Sequence, residues 1–144
     1  MKKINITRII LAGLLASVLF IIIELVFEGI VNLIFNFNEV DLAKKYFPNI
    51  TISGVRYQIV NILYLICTCI VTIWLYASLC SKFGNGPKTA LIASFFVIII
   101  IILFMANHIN MGIFPLKPAL ISLVFSLVEF PLSIVGGSFL YKAK

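Results

Sequence analysis

Residues 10–30 read ILAGLLASVLFIIIELVFEGI, and this run decides the fold. It is long enough to cross a bilayer as a helix, which takes about 20 apolar residues. Its only charged residues are Glu24 and Glu28, which a helix places one turn apart. The basic start MKKINITR invites comparison with a secretory signal. The apolar stretch continues well past the roughly 7–15 residues of a signal core, and no convincing A-x-A cleavage site follows. A retained membrane helix is therefore expected.

Working outward, three further runs have the same character. The expected spans are Ile9–Phe35, Tyr57–Leu79, Lys88–Ala106 and Pro118–Tyr141, with an outer loop at 36–56. The runs are apolar throughout and do not alternate as strands of a membrane barrel would. The fold class expected is an all-α membrane protein, with four transmembrane helices in one bundle forming a single domain over residues 1–144. The composition agrees: 62% of the 144 residues are hydrophobic and 11% are charged, which leaves too little polar surface for a soluble domain.

The connections follow from turn chemistry. SKFGNGPK at 81–88 makes a tight turn, with Pro87 suited to the first turn of the next helix. The link NHINMGIFPLKP at 107–118 is also short. In the long first connection, EVDLAKKYF at 39–47 can form a short surface helix, and Asn49-Ile50-Thr51 matches a glycosylation sequon of little weight.

The net charge of +6 does not point to nucleic acid, because the basic residues sit singly or in pairs at the ends of apolar runs. Lys2, Lys3, Arg8, Lys82, Lys88, Lys142 and Lys144 fall on one side, and Lys44, Lys45, Arg56 and Lys117 on the other. This excess predicts cytoplasmic N and C termini in a bacterial cytoplasmic (inner) membrane. Trp74 and Tyr76 read as interface anchors, and His108 as a polar end-cap of the third helix.

Polar residues within the spans are few and ordered. Gly13, Ser17, Glu24, Glu28 and Asn32 share one stripe of the first helix. Ala119, Ser122, Ser126, Glu129, Ser133 and Gly136 or Gly137 share one stripe of the fourth. The second helix has a broader face of Tyr57, Asn61, Tyr64, Thr68, Thr72 and Tyr76. The third, LIASFFVIIIIILFMA, is apolar nearly all round and is expected to present the largest lipid-facing surface. Helices one, two and four should pack about a common line, where small residues allow close approach and hydroxyls bond across the contact.

At about 1.5 Å per residue, Glu24 lies roughly 24 Å from Arg8, and Glu129 roughly 18 Å from Tyr141 at the same edge. Side chains can bridge that difference, so Glu129, Glu24 and Glu28 form a short ladder. An ionised side chain at mid-bilayer costs about 2.5–3.5 kcal/mol on insertion scales. No Lys or Arg lies in the middle of a span, so at least one of these carboxyls is expected to keep its proton. Such groups can share a proton, accept a cation or bond a polar ligand. They can also simply hold helices together, bonding a carbonyl, Ser17, Ser126, Asn61 or Thr68.

Other chemistry finds little support. Cys67, Cys69 and Cys80 are an odd number in a greasy setting and read as inert thiols. CxxC, HExxH, P-loop and GxSxG motifs are absent from the sequence, and a lone histidine cannot make a bis-histidine haem site. No cofactor, metal site or catalytic residue is indicated. An enzyme would have to be an intramembrane acid–base catalyst using the glutamates, and a non-enzymatic role is favoured.

The segments ELVFEGI at 24–30, GPKTALIAS at 86–94 and SLVEFPLSIVGGSFLYK at 126–142 resemble those of small uncharacterised bacterial four-helix integral membrane proteins. The resemblance covers most of the chain. It implies architecture and no activity, and it implies that Glu24, Glu28 and Glu129 belong to a recurring pattern. The chain lacks both the paired cysteines of disulfide-forming membrane oxidoreductases and the arginine-rich motif of small fluoride channels.

The functional expectation is a small protein binding or passing a proton, cation or small polar ligand at Glu24, Glu28, Glu129, Asn61 and Ser126. The alternative is a structural or accessory subunit whose glutamates only pack helices or a partner. Four helices of this length enclose little volume alone. The partners expected are therefore the lipid bilayer and either a homo-oligomer or a partner membrane protein.

Overall fold

A computed structural model of the chain describes residues 5–35, 45, 55–112 and 115–141. These form four helices: α1 (Ile6–Phe35), α2 (Val55–Phe83), α3 (Pro87–Asn110) and α4 (Leu116–Ser138). Each is long and apolar enough to cross a membrane. In hydrocarbon a helix satisfies its own backbone, which is why apolar runs of this length settle on that form. α2 and α3 extend beyond the expected bounds by a turn or less, while α4 stops at Ser138, before Tyr141. The expected surface helix at 39–47 and the sequon at Asn49 lie outside the described residues.

The turn between α2 and α3 is built as its sequence requires. Gly84 has φ 81° and Gly86 φ 154°, conformations that side chains oppose. The Gly84 N–H donates to the Cys80 carbonyl at 3.1 Å, and Thr89 Oγ1 donates to the Gly84 carbonyl at 2.8 Å. Pro87 opens α3, where its missing N–H costs nothing.

Neighbouring helices run up and down around a ring. α1 packs most extensively on α4 and next on α2, while α3 bridges α2 and α4. α2 and α4 also touch across the middle, and α1 and α3 occupy opposite corners. Helices one, two and four thus do meet. The third helix joins them through Thr89, Ala90, Ala93 and Ser94, all buried. It does not present the largest exposed surface: that belongs to α2, exposed over the whole of 55–64. A spacing of small residues in TALIAS was the overlooked signal.

Burial is sharply polarised. Apart from Ala119, the buried side chains lie at the end of the bundle where α1 begins and α4 ends: Ile9 to Ser17, Cys69 to Cys80, Thr89 to Ile98 and Glu129 to Tyr141. Close approach there depends on glycine. A Cβ on Gly13 would fall 2.6 Å from Ile70 Cγ1 and 2.7 Å from Ile70 Cα. A Cβ on Gly137 would fall 2.6 Å from Ala16 Cβ and 2.7 Å from the Ala12 carbonyl oxygen. Lipid chains are as apolar as leucine, so this intimate contact, rather than apolar burial, supplies the driving force for association.

Tyr76 is part of this core, not an interface anchor. It is 2% exposed, stacks edge-on with Tyr141 at 6.0 Å and reaches Ser138 of α4 with its hydroxyl. Its large ring fits between helices because Ala77 and the Gly86 turn leave room. Trp74, two residues earlier, is exposed and faces outward.

Adding a methyl group at the contact should push α1 and α4 apart. Gly137→Ala is expected to lower stability by about 1–3 kcal/mol, the usual cost of overpacking. Gly29→Ala, where nothing lies within 4 Å, should instead raise it by about 0.5–1 kcal/mol through helix propensity. Thermal unfolding in detergent micelles should move the two midpoints in opposite directions.

Candidate functional site

Above the packed end, α1 and α4 separate and leave a cavity of about 150 Å³. α1 contributes Phe20, Glu24, Phe27 and Glu28, and α4 contributes Ser122, Phe125, Ser126 and Glu129. Both sets follow helical spacing: Phe20, Glu24 and Glu28 are four apart, with Phe27 three after Glu24, and Ser122, Ser126 and Glu129 are four and three apart, with Phe125 four before Glu129. The antiparallel pairing of α1 with α4, fixed by Gly137 against Ala12 and Ala16, brings the two sets to one level.

Four of the five residues singled out from the sequence line this space: Glu24, Glu28, Glu129 and Ser126. Asn61 does not. It lies on the exposed early part of α2 and is not among the lining residues. The polar face of α2 splits in the same way. Tyr64 and Thr68 line a different cavity, and Thr72 and Tyr76 are buried in the core.

The three carboxyls differ in setting. Glu129 is 5% exposed, at the floor of the cavity, while Glu24 and Glu28 are exposed on its rim. Glu24 and Glu129 are each engaged in a polar interaction with the protein.

The hydroxyls were expected to bond between helices; that of Tyr76 reaches Ser138, but the serines and threonines near the cavity and core bond within their own helix. Ser126 donates to the Ser122 carbonyl at 2.8 Å, Ser133 to Phe130 at 2.7 Å, Ser17 to Leu14 at 2.8 Å and Thr68 to Tyr64 at 2.9 Å. Each returns its proton to its own helix, the usual solution when no water is near. The lone pairs of the Ser126 hydroxyl remain as acceptors, so it presents oxygen rather than a donor to the cavity.

Three phenylalanines were missed from the sequence: Phe20, Phe27 and Phe125. They sit four before and three after Glu24, and four before Glu129, a spacing that marks the same helix face. Phe20 also meets Phe130 edge-to-face at 6.4 Å, closing the cavity on the side of the packed core. The carboxyls therefore stand in an aromatic frame that keeps lipid chains and the core apart.

The remaining candidates fall away. His108 accepts its predicted place as an end-cap, with Nδ1–H donating to the Phe104 carbonyl at 2.9 Å. Cys69 and Cys80 are buried and Cys67 is exposed, and none of the three forms a disulfide among the described residues. Among the described residues no group of three His, Cys, Asp or Glu could hold a metal ion. Compared with protein-family models, curated proteins and solved structures, the chain matches none.

The environment of Glu129 has a consequence for stability. Glu129→Gln keeps shape and hydrogen bonding, and should change stability by less than about 0.5 kcal/mol. Glu129→Leu leaves its polar partner unsatisfied in a dry interior and should cost about 1–3 kcal/mol. Glu28→Leu, on the exposed rim, should be close to neutral. Chemical denaturation of the three variants in micelles reads the difference.

Proposed function

We propose that this chain is a small multi-pass protein of a bacterial cytoplasmic membrane, termini inside, that binds or passes a proton or small cation between α1 and α4. The observation that carries the reading is the cavity lined by Glu24, Glu28 and Glu129, with five oxygen-bearing side chains from two helices around about 150 Å³. That volume is well below the roughly 300–1,000 Å³ of sites for drug-sized ligands, so the occupant is an ion, its waters or a small polar molecule.

Electrostatics narrows the choice. Carboxylates gathered around one small space repel one another. Protons or a cation relieve that repulsion, and an anion worsens it. Among the described residues, none of Arg8, Lys45, Arg56, Lys82, Lys88 and Lys117 lines the cavity. The occupant favoured is a proton, or a monovalent cation held by part of this oxygen set, since the three carboxyls together do not form a metal-ion cluster.

A second reading has its own support. Glu24 and Glu129 are each already engaged with the protein, as they would be in an accessory subunit whose carboxyls serve packing against a helix or a partner. In that case the exposed rim at Glu28 is where a partner helix or a second copy would lie.

The readings separate in proteoliposomes loaded with a pH-sensitive dye. An outward potassium or sodium gradient should drive a proton flux in the wild-type protein that falls at least tenfold in Glu24→Gln and in Glu129→Gln. Asn61→Ala, which does not touch the cavity, should retain it. A flux equal to that of empty liposomes in the wild type, or one unaffected by both glutamine variants, removes the ion reading and leaves the packing one.

A further inference from the structure

We propose that α4 bends at Pro131 and that its outer arm, residues 116–128, is a gate that opens and closes the glutamate cavity; this concerns the regulation of the site proposed above and rests on that reading. Three independent features meet at this point of the helix.

Pro131 lies inside α4 and is buried, one turn from the end of the arm. It has no N–H to offer to the carbonyl of Leu127, and its ring crowds that carbonyl, so the helix loses its stiffening bond there. Glu129 sits inside this weakened turn.

On one side of the proline the helix is clamped. Ser133 and Ile134 are fully buried, and Gly137 rests against the backbone of α1 at Ala12 and Ala16. On the other side Ala119 is the one buried side chain among the described residues of the arm, and Leu120, Val124, Leu127 and Val128 are exposed.

The arm also has space on both flanks. Towards α1 is the glutamate cavity of about 150 Å³. Towards α2 and α3 are two apolar cavities, about 180 Å³ around Tyr64, Ile101 and Leu123, and about 370 Å³ around Ile109, Leu116 and Leu120. Packed helices interdigitate and hold one position, whereas a helix half with voids before and behind has room for two. Ser126 of α4 and Phe20 of α1 line both the glutamate cavity and the adjoining apolar one, so they form the wall between them and Ser126 is its part on the arm. A swing towards α1 shrinks the first cavity and enlarges the second, and the reverse swing opens the carboxyls. α1 carries no proline along its length, so Ser122, Phe125 and Ser126 move relative to Glu24 and Glu28.

The test is a pair of spin-label distances, measured by double electron–electron resonance in nanodiscs. Labels go on a background with Cys67, Cys69 and Cys80 replaced by alanine, and labelled chains are diluted with unlabelled ones. One pair, Val26→Cys with Val124→Cys, spans α1 and the arm at exposed positions. The other, Ile10→Cys with Leu132→Cys, spans α1 and the clamped segment. The outer pair should give a broad or two-peaked distribution at least twice the width of the inner pair, and Pro131→Ala should narrow it to a single peak. An outer distribution as narrow as the inner one, or one that Pro131→Ala leaves unchanged, overturns the hinge. The comparison of the two pairs stands even where the alanine variant fails to fold. Because no ion is needed, a rigid arm beside a glutamate-dependent flux would sink the gate alone, and a mobile arm without that flux would sink the ion reading alone.

Discussion

The contact of Gly137 with the backbone of α1 at Ala12 and Ala16 is the constraint on which the rest of this structure depends. Together with Gly13 against Ile70 of α2, it brings three helices closer than any side chain would permit. A bilayer gives no hydrophobic reward for bringing leucines together, so association has to come from such intimate packing. Once α1 and α4 are locked at that end, their antiparallel direction and their register as far as Pro131 are set. Phe20 then meets Phe130, and one turn further the glutamates of both helices come to one level.

The division of labour between the two ends follows from composition. The packed end uses alanine, glycine, serine and buried aromatic rings, and its space of about 170 Å³ lies at the extremity, beside the α2–α3 turn and Tyr141. The other end uses larger side chains that hold the helices apart, and cavities appear there. A carboxyl at the tight end would have had no room for a proton partner or an ion. Placed just past the boundary, Glu129 is buried on a floor while Glu24 and Glu28 stand on a rim. The site thus exists because close packing stops where it does, and Pro131 sits on that border.

Much of this was legible in the sequence. Helix number followed from run length, and the α2–α3 turn from Gly84, Gly86 and Pro87. The stripes on the first and fourth spans were real, because a helical period puts Glu24, Glu28 and Glu129 on faces with the small residues that drive packing. Where the reading failed, it counted polarity and neglected size. Ala90, Ala93 and Ser94 make α3 a packing helix despite its apolar character, and Tyr76 is a core residue despite its hydroxyl. Asn61 was grouped with Glu24 by face alone, yet α2 is fully exposed at that level and turns no side chain to the cavity. The phenylalanine frame was also hidden, since in a greasy run a Phe three or four positions from a Glu carries no contrast.

The central claim is that carboxyls from α1 and α4 share one space. Its most direct test is solid-state NMR on protein in lipid bilayers, with glutamate labelled at the side-chain carboxyl carbon. Carbon–carbon correlation spectra should contain a cross-peak between the Glu129 carboxyl and that of Glu24 or Glu28, lost in Glu129→Gln. Spectra in which Glu129 correlates with neither would place the two helices' acids in separate surroundings and contradict the account.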